Sequence, residues 1–151
     1  MEIARLLHVL GVVVWVGGMF FAYMALRPVA ATLLEPPQRL PLWQAILRKF
    51  FAWVWGTIAL ILLSGLWMIH AFGGFGAIGP YVHVMFALGI VMMLIFIHVF
   101  FVPFRRLTRF VAAKDWKSAG AALGQIRKLV GLNLILGLIT IVVAILGRLV
   151  A

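Results

Sequence analysis

The sequence predicts an all-α integral membrane protein, a four-helix bundle of transmembrane helices with both termini on the periplasmic side. Three observations carry this. The 151 residues are 66% hydrophobic and only 11% charged, with a mean hydropathy of +1.22, whereas a soluble domain is about 45–50% apolar and about 25% charged. Charged residues are absent from 6–26, 50–104 and 129–147, and about 20 apolar residues suffice to cross the hydrocarbon core. The long middle stretch is divided by Gly73, Gly74, Gly76, Gly79 and Pro80, which break a helix and form a tight loop. The chain reads as a single transmembrane domain over 1–151, with spans at about 5–27, 50–71, 81–103 and 129–148.

The first span opens on Met1-Glu2 without a basic segment and is too long for the apolar part of a signal peptide, so it is read as a retained helix. Within it Gly11 and Gly18 lie seven apart on one face, next to Gly17, and would admit a closely packed neighbour. A connector follows, marked by Pro36, Pro37 and Pro41, with an apolar turn around Trp43 and Ile46. The second and third spans flank the glycine loop. Residues 111–127 interleave Val111, Trp116, Leu123 and Ile126 with Lys114, Lys117 and Arg127. That pattern reads either as an amphipathic helix along the headgroups or as a solvated connector. The fourth span closes the chain.

The net charge of +10 comes from 13 basic residues against Glu2, Glu35 and Asp115. Eleven of the basic residues fall in the first and third connections, and only Arg5 and Arg148 on the other side. Such a bias places the connections in the cytoplasm, and the termini and glycine loop in the periplasm, of a multi-pass protein of a bacterial inner membrane. Because the charges cap spans, they point to anionic lipid and away from nucleic acid. The composition excludes a soluble enzyme, a disordered tail and a disulfide scaffold. With no cysteine, no carboxylate pair and no phosphate loop followed by Lys and Ser or Thr, the common catalytic motifs are absent too.

The four histidines are the candidate reactive groups. His8 lies just inside the first helix, His70 ends the second and His83 opens the third, so helix rise puts all three within one or two turns of the periplasmic boundary. Imidazole is a common ligand of metals and of haem, and a polar group inside a span is a functional candidate by default. The plain alternative is that each imidazole simply meets water at the interface. His8 is the strongest of the three, with Gly11 one turn on leaving space beside its ring and Trp15 on the same side two turns deeper. Met68 and Met85 stand two residues from His70 and His83. Thioether with imidazole suits copper, above all Cu(I), although residues two apart on a helix point in nearly opposite directions. His98 lies near the cytoplasmic end and is a secondary candidate, with Asn133 of the last helix as a hydrogen-bond partner at similar depth.

Leu7-His8-Val9 followed by Val14-Trp15-Val16-Gly17-Gly18 resembles the opening of the copper resistance protein D (CopD) family, and the remaining spans fit the same four-helix unit. The order of features is also similar to that of the HemJ-type protoporphyrinogen oxidases, haem-binding membrane proteins with a first-helix histidine before a Trp-x-Gly-Gly-like stretch and histidines at both ends of the third helix. Those proteins carry a lysine where this chain has Met85, and an Asn-Glu-Pro-like stretch where it has Asn133-Leu134. The copper-resistance pattern is the nearer one.

Three readings compete. The first is copper handling, transport or resistance at a periplasmic site of His8, His70 and His83 with Met68 or Met85. Met19, Met92, Met93 and His98 are the groups available to a relay at depth, and a periplasmic copper carrier is the partner. The second is a b-type haem protein with His8 and His70 or His83 as axial ligands, which would be a haem-dependent oxidoreductase or electron carrier working with quinone. The third is a cofactor-free assembly subunit. Enzymatic activity is expected only on the second, and association with another copy of the chain is left open.

Overall fold

The computed structural model describes residues 1–150, and within them the chain is a succession of helices. Helix α1 (Glu2–Phe21) widens into a π-helical turn (Ala22–Leu26) and continues as α2 (Arg27–Leu33). The π turn has a local cause. Pro28 offers no N–H, and its ring would clash with the carbonyl of residue 24 in an unbroken α-helix. The Arg27 N–H reaches back to the carbonyl of Ala22, five residues away, and the extra residue relieves the clash.

Helix α3 (Pro36–Ala71) contains the whole of the expected proline connector. Glu35 is extended and Pro36 and Pro37 occupy the first helical positions, where the missing N–H groups would have had no helical partner in any case. Pro41 is accommodated inside the helix. The helix ends as the glycine loop predicts. The Gly73 N–H donates to the carbonyl of His70 and that of Gly74 to Ile69, with Gly73 at φ +102°, a left-handed C-terminal cap.

Helix α4 (Pro80–Phe101) is interrupted at Val102, and α5 (Pro103–Ala112) follows at once. The amphipathic segment expected at 111–127 is therefore split. Its start is the end of α5, and its remainder is the first third of α6 (Trp116–Val150). Rather than lying flat on the headgroups, that remainder continues directly into the last span, with Ala119, Ala122 and Ile126 buried against the rest of the bundle. Asp115 caps α6 by accepting the Ser118 N–H at 3.1 Å, and its bonds to Ser118 hold its carboxyl below the usual carboxylate range.

Four helices are long and apolar enough to cross a membrane, Glu2–Leu33, Pro36–Ala71, Pro80–Ala112 and Trp116–Leu149. Each is roughly 50 Å long at about 1.5 Å per residue, well beyond a hydrocarbon core of about 30 Å. The expected spans are thus only the middle of longer rods. Alternating direction brings both termini to one end, and α2, α5 and the starts of α3 and α6, with eleven basic residues, to the other. Large apolar side chains such as Ile3, Trp53, Leu63 and Leu149 are at least 69% exposed, the outward face expected where lipid is the solvent.

The interior has two tiers. Trp15, Met19, Val54, Met92 and Phe96 fill the bilayer tier, and Leu40, Trp43, Leu47, Leu107 and Ile126 fill the basic end. Phe51 joins them through edge contacts to Phe96 at 5.3 Å and Phe104 at 5.0 Å. Helix α1 packs on α3 through its glycines, as their spacing predicts. A Cβ on Gly11 would meet the Ile61 side chain, and one on Gly18 the Phe50 ring.

Candidate functional site

His8 faces α3. Its Nδ1 lies 3.1 Å from the carbonyl oxygen of Ile61 and 3.1 Å from Ser64 Oγ. A carbonyl can only accept, and the Ser64 hydroxyl already donates to the carbonyl of Leu60 at 2.6 Å. Both partners therefore require a proton on Nδ1. The proton of a neutral imidazole is then assigned, and Nε2 keeps its lone pair. Among the described residues nothing hydrogen-bonds Nε2, and it is not sealed inside the bundle. An imidazole held by one nitrogen and free at the other is the arrangement that metal-ligating histidines adopt.

The ring is seated by Gly65, whose missing Cβ would stand 3.2 Å from His8 Cε1. Space beside the ring thus comes from Gly65. Gly11, expected to supply it, instead meets Ile61. Ser64 and Gly65 were readable in the sequence as a small polar pair inside an apolar span, but only the packing shows them to be partners of His8.

The other expected ligands make no hydrogen bond to His8. His70 is exposed at the end of α3. His83 is exposed in the first turn of α4, where its Nδ1 donates to the carbonyl of Gly79 at 3.2 Å, and Phe75 lies 6.2 Å from its ring. Met68 and Met85 are half-buried. Among the described residues no three histidine or acidic side chains converge closely enough to share a metal ion. Met68 nonetheless follows Ser64 by four residues, which places it one turn outward on the face that holds His8.

Deeper in, Trp15 is buried, with its ring edge to face against Phe96 at 6.3 Å. Trp15, Met19 and Asn133 border an internal cavity of about 10 Å³, the size of one water molecule. Asn133 does not reach His98. Its Nδ2 donates to the carbonyl of Met92 at 3.1 Å, and its Oδ1 is buried without a partner. Met92, Phe96 and Val99 define the inward face of α4, and His98, about 100° round from Val99, is turned outward and exposed.

A model of the family described as copper resistance protein D matches residues 44–146, more than half of the chain. The chain belongs to the copper resistance protein D family. It is accordingly a multi-pass inner-membrane protein with four spanning helices. The family match takes in Ser64, Met68, His70, His83 and His98, while His8 and the glycine face of α1 precede it. No significant match was found to any curated protein or to any solved structure.

Proposed function

We propose that this copper resistance protein D family member handles copper as its cargo, with His8 Nε2 as the first protein ligand. The observation that carries the reading is the double hold on His8 Nδ1 by Ile61 and Ser64. It orients the ring and leaves Nε2 available at the end of the bundle where both termini lie. Met68 is the nearest soft donor by helix geometry, and imidazole with thioether is a ligand set for Cu(I). The exposed His70 and His83 and the half-buried Met85, around the glycine loop, are the outer donors that would receive the ion from a periplasmic carrier. Trp15 and Met19 continue the His8 face of α1 inward, at seven and eleven residues on, toward Met92 and Met93.

Anaerobic Cu(I) titration of the detergent-purified chain against a chromophoric chelator tests this. The wild type should bind Cu(I). His8→Ala should lose more than about 100-fold in affinity with its circular dichroism unchanged, and Ser64→Ala, which removes one of two orienting partners, about tenfold. A folded His8→Ala protein with full copper affinity would overturn the assignment. So would a wild-type extract that carries a Soret band and no copper, the signature of haem.

A further inference from the structure

Eleven basic residues gather at one end of the bundle with only Glu35 and Asp115 for company. Neither acid pairs with them. Among the described residues the one salt bridge, Arg5–Glu2, lies at the opposite end, and Asp115 is turned to the Ser118 N–H. Within this charged end, α5 and α6 flank an open groove of about 350 Å³ bordered by Arg106, Arg109, Phe110, Ser118, Ala122 and Gln125.

We propose that this groove binds the phosphate of an anionic phospholipid headgroup. Its donors are the right kind. Two guanidinium groups present planar forks that suit phosphate oxygens, and a glutamine amide stands on the facing helix. Asp115 is bonded to Ser118 at its rim and is not itself part of the lining. Its position argues for a lipid over a free anion. Helix α5 begins at Pro103, immediately after the third span breaks at Val102, so the groove opens where headgroups lie. Phe110 and the two α6 alanines Ala121 and Ala122 give it an apolar wall for glycerol and acyl carbon. The neighbouring Arg105 lies over the exposed Phe101 ring at 4.8 Å, the snorkelling posture of a cation at a hydrocarbon boundary. Basic pockets between helices on the cytoplasmic side of membranes commonly hold acidic headgroups.

The test uses the full chain in detergent, with phosphatidylglycerol, phosphatidylcholine or inorganic phosphate added, and reads bound lipid by native mass spectrometry. Phosphatidylglycerol should be retained in preference to phosphatidylcholine, and the double variant Arg106→Gln, Arg109→Gln should lose roughly 30-fold in affinity for it. Arg127→Gln with Lys128→Gln removes the same charge from the same end outside the groove and should keep the preference. Equal loss in both double variants would overturn the proposal in favour of diffuse surface charge. Equal retention of phosphatidylcholine, or displacement of the lipid by millimolar inorganic phosphate, would overturn it as well.

Discussion

Asn133 shows how a single buried amide behaves between membrane-spanning helices. It is 3% exposed, donates one hydrogen bond to Met92 and leaves Oδ1 unpaired. An interhelical bond of this kind contributes about 0.6–2 kcal/mol in a membrane, while an orphaned acceptor costs about 1–3 kcal/mol. The two nearly offset. Asn133→Leu, which has the same number and branching of side-chain heavy atoms, should therefore change stability in detergent by less than about 1 kcal/mol, whereas Asn133→Asp should lose about 2.5–3.5 kcal/mol. Thermal scans of the two variants check this, and a large loss on Asn133→Leu would mean that the amide does more than hold Met92. His8 is the contrasting case. Its Nδ1 is doubly held, so the ring has one orientation before any ligand arrives, and the unused nitrogen is what recommends it as the proposed ligand.

At the scale of the elements, proline and left-handed caps determine where helices begin and end. The turn from α5 to α6 has the hydrogen bonds of a Schellman cap. The Lys114 N–H donates to the carbonyl of Val111 and the Asp115 N–H to Phe110, with Lys114 at φ +55°. Glycine normally occupies that position, because a side chain there crowds the following carbonyl by about 1–2 kcal/mol. Lys114→Gly should raise stability by about 0.5–1 kcal/mol once the greater freedom of glycine in the unfolded chain is allowed for. A melt in detergent reads the gain, and an unchanged or lower midpoint would contradict the strain. Across the loop at 72–79 the same device is built with Gly73, and there the strain does not arise.

For the molecule as a whole, the helices outrun the membrane. Their surplus length lies at the basic end, where Leu40, Trp43, Leu107 and Ile126 give the protruding segments a core of their own. Eleven basic residues there, against Arg5 and Arg148 at the other end, should keep that end in the cytoplasm and both termini in the periplasm. Alkaline phosphatase fused to the C-terminus is expected to be active and a green fluorescent protein fusion dark. The reverse pattern would invert the molecule, and would carry the His8 site to the cytoplasmic side.

How much of this was legible in the chain depends on the direction considered. Hydropathy and charge report the solvent met at each depth, so the four spans, the glycine loop between the second and third, and the level of each histidine could be read directly. The Gly11–Gly18 face could be read as well, because two glycines seven residues apart share one side of a helix whatever its neighbour is. The proline stretch before the second span was misjudged, since prolines that open a helix and prolines in a loop look alike without the chain around them, and the 111–127 helix was read without its turn at 113–115. Rotation about each helix axis was beyond reach. At about 100° per residue, it decides whether groups at one depth meet, and it is settled only when the helices pack. That packing turned His8 to Ile61 and Ser64, left His70 and His83 exposed on the surface, and gave Asn133 to Met92 in place of His98. The sequence determined the order of the candidate groups along the helices, and the tertiary structure alone decided which of them face one another.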